Sequence, residues 1–228
     1  MMKLLALDTA TDACSAALWI DGEISLLESI EPRRHSEYIL AMIEQLLAAA
    51  ELRPGQLDGL AFGCGPGSFT GLRIAAGVAQ GIAFGADLPV VPVSSLAALA
   101  LGAATALHAT HLLPALDARM GELYWAGYRL TGDAELELVI AEAVVAPLHA
   151  ELPSEGAWVG VGDGWASHGA TLRQRGGRLI TALDPERLPS AREIARLGAV
   201  GLRNGEGVSA EQAQPRYLRN QVANKPGA

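Results

Sequence analysis

Between residues 63 and 73 the chain reads Gly-Cys-Gly-Pro-Gly-Ser-Phe-Thr-Gly-Leu-Arg, four glycines and a proline joining two apolar segments. Leu57 to Phe62 ahead of it has the length of a buried strand, and Leu72 to Phe84 behind it has helical character. The chain must therefore turn sharply from strand to helix here. Two readings follow from the residue types. Backbone N–H groups gathered at a helix start, with Gly65, Gly67, Ser68 and Thr70 around them, form an anion cradle. Alternatively the run is a tight turn in which Ser68 or Thr70 caps the helix and Pro66 stiffens the approach. No lysine follows the last glycine as a P-loop requires, so that motif is excluded.

The rest of the chain alternates strands and helices. Lys3 to Asp8, Cys14 to Ile20 and Glu23 to Ile30 read as strands, and Asp21-Gly22 marks a hairpin between the last two. From Ser36, the expected cap, to Leu52 the period becomes helical, with Ile39, Ile43, Leu46, Leu47 and Ala50 on one face and Leu40 and Met42 widening it. Pro89 to Val93 is a short strand, and Ser94 caps a helix running to about Leu107. Gly121 to Leu130, Leu136 to Ala141 and Ala157 to Val161 read as further strands, the last closing in a Gly162-Asp163-Gly164 turn. Ser190 to Leu202 is helical.

A weak internal echo organises these elements. Ala6-Leu7-Asp8 with Ala17 and Trp19 recurs as Ala115-Leu116-Asp117 with Ala126 and Tyr128, at a constant spacing of 109 residues. The duplication predicts an α/β chain of two related lobes with a cleft between them, residues 1–108 and 109–219, followed by a disordered polar tail at 220–228.

The helix after the glycine loop carries Gly77, Gly81 and Gly85 at every fourth position, along one stripe. Each interior glycine costs about 1 kcal/mol of helix stability relative to alanine. Only Arg73 and Gln80 are polar between Leu72 and Ala86, so the helix is expected to be covered on nearly every side, by its own sheet or by a partner.

Seventeen Lys and Arg against twenty-five Asp and Glu leave a net charge of −8, which disfavours a lone nucleic-acid binder. No apolar run approaches the roughly 20 residues of a membrane span. Two cysteines without metal or redox spacing, and no signal peptide, point to the cytoplasm. The five histidines are scattered and form no obvious metal or nucleophile–base set. A strand ending in Asp8-Thr9-Ala10-Thr11, with Asp117 and Asp163 further on, has the first-loop shape of actin-like ATPases. It supports an alternative function as an independent ATP-dependent phosphotransferase.

Five segments carry a resemblance to a known family: Leu4-Leu5-Ala6-Leu7-Asp8-Thr9 with Cys14-Ser15, His35-Ser36-Glu37, Gly65 to Arg73, Pro92-Val93-Ser94-Ser95-Leu96, and Asp117-Ala118-Arg119-Met120-Gly121-Glu122-Leu123-Tyr124. In these the chain resembles the TsaB family of tRNA threonylcarbamoyladenosine biosynthesis proteins. The resemblance implies a duplicated actin-like, ribonuclease-H-like fold, each lobe a mixed sheet flanked by helices. It also implies a non-catalytic relative of TsaD, whose metal-binding His-x-x-x-His follows a Pro-Val pair. Ser95 and Leu99 stand at the corresponding positions here, and neither replaces an imidazole. The expected job is then to support a TsaD homologue, with the ATPase TsaE joining, while the assembly modifies the adenosine beside the anticodon and the partner holds the tRNA. Ile39, Met42, Ile43, Leu46, Arg73, Gly77 and Gly81 are the expected partner interface, and a homodimer is expected when the chain is alone. No cofactor of its own is expected, although a nucleotide at the shared interface fits the resemblance. Asp8, Thr9, Thr11 and Asp163, with the glycine loop, form a phosphate-loop-like set.

Overall fold

The computed structural model describes residues 1–31 and 34–219, so the expected disordered tail lies outside the described residues. Three strands open the chain: β1 (Lys3–Asp8), β2 (Ala13–Ile20) and β3 (Glu23–Ile30). Asp21 and Gly22 both take positive φ, 46° and 102°, the conformation that a two-residue hairpin demands. There follow α1 (His35–Ala49), β4 (Gly59–Gly65), α2 (Phe69–Ala86), β5 (Val90–Ser94) and α3 (Ser95–Leu107). The second half repeats the order without a counterpart of α1: β6 (His111–Arg119), β7 (Glu122–Gly132), β8 (Glu135–Val145), β9 (Trp158–Val161), α4 (Asp163–Gly176), β10 (Ile180–Asp184) and α5 (Ala191–Arg203).

Each half forms a five-stranded mixed sheet, ordered β3-β2-β1-β4-β5 and β8-β7-β6-β9-β10. The first three strands of each are antiparallel neighbours, and the last two add in parallel, through α1 and α2 in the first sheet and through a loop with a short 3-10 turn (Pro147–His149) and α4 in the second. Both sheets are thus the same topology, as the duplicated, two-lobe α/β fold requires.

The lobes trade helices. Side chains of α3, which ends the first repeat, pack with Leu112, Leu116, Ala126 and Tyr128 of the second sheet. Those of α5, which ends the second repeat, pack with Leu4, Ala6, Ala17, Ala61 and Val91 of the first. The division of the sequence at 108 and 109 therefore separates the strands but assigns both of these helices to the wrong sheet. Burial explains it: each sheet has a second apolar face, and the helix that covers it is the one reaching across the hinge.

The internal echo is off by one residue in its first strand. Leu5 and Leu7 pack with α1 and α2, whereas Leu4 and Ala6 pack with α5. In the second sheet Leu113 and Ala115 pack with α4, and Leu112 and Leu116 with α3. Since α4 holds the place of α2, the counterpart of Leu7 is Ala115, and that of Asp8 is Leu116 rather than Asp117. The cause is a turn one residue longer: Asp8 pairs with Ser15 across β1 and β2, seven residues on, but its counterpart Leu116 pairs with Tyr124 across β6 and β7, eight residues on. A one-residue slip sends a side chain to the opposite face of a sheet.

Local expectations fare unevenly. Ser94 caps α3 through Leu96 and Ala97 N–H, as expected. Ser36 does not cap α1, which begins at His35 with no side-chain cap. The buried His35 ring instead fixes that end, its Nε2 lying 2.9 Å from the Thr11 carbonyl oxygen. The Gly162-Asp163-Gly164 turn is the start of α4, a helix that the sequence reading missed together with β10. Its glycines argue against a helix locally; Trp165 and Leu172, buried on the second sheet, override them.

Candidate functional site

The glycine run is a packing joint for the chain's own backbone. A Cβ on Gly67 would lie 2.4 Å from the Ala10 carbonyl oxygen, and one on Gly71 would lie 1.9 Å from that of Thr9. The β1–β2 turn can sit this close only because those positions carry no side chain. Ser68 N–H donates to the Ala10 carbonyl at 2.7 Å, and the Thr9 hydroxyl donates to the Gly71 carbonyl at 2.7 Å. On the opposite side Arg216 N–H donates to the Cys64 carbonyl at 2.7 Å, and the Arg216 carbonyl lies where a Gly65 side chain would be. Ser68 is the α2 cap, accepting from Gly71 N–H at 3.3 Å, while Thr70 is exposed. The turn reading holds, and the Ser68 N–H that a cradle would offer is already taken.

Asp8 and Thr9 lie beneath this joint with no exposed surface. Asp8 Oδ1 accepts from Ala10 N–H at 3.0 Å, and Oδ2 has no hydrogen-bond partner. Burial pushes the carboxyl up to about 7, against the Ala10 bond that lowers it. Asp117 and Asp163 sit elsewhere, in a cleft of about 540 Å³ between the two β-hairpin ends and the chain end, which Thr11, Asp12, Arg119 and Arg216 also line. Asp163 Oδ1 accepts from Asp117 N–H at 2.8 Å, and Arg119 reaches Asp117 at 3.3 Å. Burial raises the Asp163 carboxyl; the Asp117 N–H opposes this, the Asp117 carboxylate adds to it, Arg119 opposes it, and Asp12 adds to it. The three aspartates of the phosphotransferase reading therefore do not converge. Among the described residues, no three His, Cys, Asp or Glu side chains are grouped to hold a metal ion.

The two candidate docking helices separate into core and surface. Ile39, Ile43 and Leu46 are buried against the first sheet, and Met42 is partly buried there, so the expected α1 interface is the core face. Its apolar stripe is what covers β2 and β3. Leu40, at 56% exposure, faces outward instead. The chain's own sheet covers only one side of α2: Phe69, Arg73, Gly77, Gly81, Phe84 and Gly85 are exposed along one flank, so of the two expected kinds of cover the sheet does not supply it there. Among the described residues, nothing lies within 4 Å of the Cβ that Gly77, Gly81 or Gly85 lacks.

A family model described as "TsaD: tRNA N6-adenosine threonylcarbamoyltransferase" matches residues 29–226. The Escherichia coli (strain K12) protein named "tRNA threonylcarbamoyladenosine biosynthesis protein TsaB" is 40% identical over 225 residues, covering 97% of this chain and 96% of its own. Its Haemophilus influenzae namesake is 40% identical over 230 residues, covering 97% and 95%. The chain belongs to the TsaB family. Among solved structures, "YeaZ from Pseudomonas aeruginosa" superposes with a TM-score of 0.89 at 42% identity, covering 96% of this chain and all of that one.

In this TsaB-family chain, Ser95 and Leu99 are fully buried in α3, inside the protein rather than on a cleft wall. Next to Ser95 is a polar cluster that sequence reasoning missed. Ser94 Oγ donates to Glu142 Oε1, and Tyr128 donates to the same atom at 2.6 Å. Arg216 Nη1 lies 3.0 Å from Oε2. Burial first, then the Glu142 carboxylate, pushes the Tyr128 phenol well above its usual value, so it stays a donor. Loss of the shared acceptor would leave two hydroxyls unpaired, at about 1–3 kcal/mol each where they are buried. One signal was available: Glu142 is the lone charge between Leu138 and Val145, in β8.

Proposed function

We propose that this chain works as a non-catalytic subunit of the machinery that installs threonylcarbamoyl on the adenosine beside the anticodon of tRNA. The names of its relatives support that pathway. The observation carrying the subunit role is the exposed glycine flank of α2. Three glycines weaken the free helix by about 1 kcal/mol each, and a Cβ at any of them would meet nothing among the described residues. The loss makes sense where the backbone of another helix packs against them at close range. In this reading the partner is a TsaD homologue, the ATPase of the TsaE type joins the pair, and tRNA is held through the complex. The same flank joins two copies when the chain is alone. A nucleotide, if one takes part, sits at the shared surface. Among the described residues no helix is long and apolar enough to cross a membrane, and the proposed place of work is the cytoplasm.

Gly81→Arg places a long charged side chain in the middle of the flank. It should abolish co-purification with the TsaD homologue while circular dichroism and Tm stay parental. Retention of the complex by a folded Gly81→Arg protein would refute the docking reading. Reconstituted tRNA modification that proceeds with this chain omitted would refute the pathway role. The phosphotransferase reading fares worse on the burial of Asp8, which leaves its carboxylate out of reach of the cleft. It requires Mg-dependent turnover by the isolated chain that Asp8→Asn abolishes.

A further inference from the structure

The segment 214–219 runs back from the last helical turn and bridges the lobes. Its Arg216 meets Glu142 of β8, and its Arg219 meets Glu122 of β7, both in the second sheet. Between these side-chain ties, the Arg216 main chain is bonded to Cys64 at the end of β4, in the first sheet. The two ends of the Arg216–Glu142 pair are unequal. Glu142 has 1% of its side chain exposed, and hydroxyls from two different elements fix its carboxylate; Arg216 is 58% exposed. The anion is therefore held ready, and the arginine is the part free to arrive. A carboxylate in so dry a place attracts a neighbouring guanidinium strongly.

One residue further on, Tyr217 joins a cluster at the start of α2. Its ring centroid lies 5.5 Å from that of Phe69, and its hydroxyl accepts from Arg73 Nε at 3.3 Å. The Arg73 guanidinium sits 3.9 Å over the Phe69 ring. Arg73 precedes Gly77 by one turn on the exposed flank, so the surface runs without a break from the glycines onto the C-terminal segment.

We infer that the Arg216–Glu142 ion pair is a latch that seats the C-terminal segment on the glycine loop, so that Tyr217, Phe69 and Arg73 form one end of the surface docking the partner subunit. The part concerning docking rests on the reading of α2 given above; the latch itself does not. Arg216 and Glu142 are positioning residues. The carboxylate draws the guanidinium inward, the Arg216 carbonyl settles beside Gly65, and the following tyrosine is presented outward.

Hydrogen exchange on the full isolated chain tests the latch. Glu142→Gln keeps an acceptor for the two hydroxyls and removes the charge; Arg216→Gln removes the cation at a largely exposed position. Each should speed exchange of the Arg216 amide about tenfold, leaving the α2 and β4 amides at parental rates. The double variant should be no faster than either single, and Arg216→Lys should recover part of the protection. Parental exchange in both single variants, or additive effects in the double, overturns the latch. If Glu142→Gln does not fold, Arg216→Gln and Arg216→Lys decide the matter alone. Affinity for the TsaD homologue tests the link to docking, with an expected weakening of about five- to tenfold in either latch variant. Parental affinity in variants whose segment exchanges fast overturns the link. Normal binding by Gly81→Arg removes the docking reading instead, and the exchange result still judges the latch.

Discussion

Helices α2 and α4 occupy the same place in the two repeats, each crossing from the strand beside the central one to the parallel edge, yet they present opposite kinds of surface. The outward face of α4 carries Ala166, Ser167, Ala170, Arg173, Gln174 and Arg175, an ordinary solvated face. That of α2 carries Phe69, Arg73, Gly77, Gly81, Phe84 and Gly85. Duplication preserves what the core needs, an apolar face toward the sheet, and leaves the outer face free to diverge. The difference teaches where to look for association: one copy carries a polar coat and the other an apolar, glycine-lined flank.

The largest effect that can break this contrast is an exchange of the same insult between the two helices. Gly81→Arg should weaken binding of the TsaD homologue at least a hundredfold, about 3 kcal/mol or more. Ala170→Arg on α4 should leave it within twofold in the same pull-down and calorimetry. Equal losses would mean that the outer face of α2 is not special.

A second contrast lies in the sheets, where Asp8 is the counterpart of the apolar Leu116. Its folded pKa of about 7 lies above the ordinary 3.8. The folded state therefore binds the extra proton between those values, and stability falls as pH rises through that window. A carboxyl raised that far contributes at most about 4 kcal/mol, present in full at low pH and lost above pH 7. Urea melts at pH 4.5 and pH 8 should show this slope in the parent protein and its absence in Asp8→Asn. A slope unchanged in the variant would place the titration elsewhere.

The two faces of α1 sharpen the division of core from surface. Ile43→Ala should cost about 3 kcal/mol, lowering Tm by roughly 6–12 °C, because the side chain is buried against the sheet. Leu40→Ala should stay within about 0.5 kcal/mol. The smallest effect is the most pointed one. Gly77→Ala, in open space, should stabilise the isolated chain by up to about 1 kcal/mol. The same methyl group should weaken the complex, and a variant improved in both respects would contradict a close helix–helix approach.

Most elements were legible because the rules that make them are local. Asp21-Gly22 specifies its hairpin, Ser94 its cap, and the period of Ile39, Ile43 and Leu46 its helix. The same period was also misread: an apolar stripe says that a face is buried and does not say by what. Those three residues, expected at an interface, fill the core instead. The cleft residues Asp117 and Asp163 were found, but grouping them with Asp8 failed, since a turn one residue longer reverses the facing of β6 relative to the echo. Helix α4 escaped notice because its glycines outvote its two buried anchors when the sheet beneath is unseen.

The amino-acid order alone determined the duplicated α/β plan, the strand-to-helix joint at residues 63–73 and the family to which the chain belongs. These depend on neighbours within a turn or a hairpin, or on motifs contiguous in the chain. Tertiary structure alone decided that α3 and α5 change sheets, that Asp8 is sealed under the loop while the α2 glycines face outward, and that Arg216 finds Glu142. Each of those outcomes turns on which apolar face or buried charge lies opposite an element tens to more than a hundred residues away, and burial acts on proximity in space, to which spacing along the chain is blind.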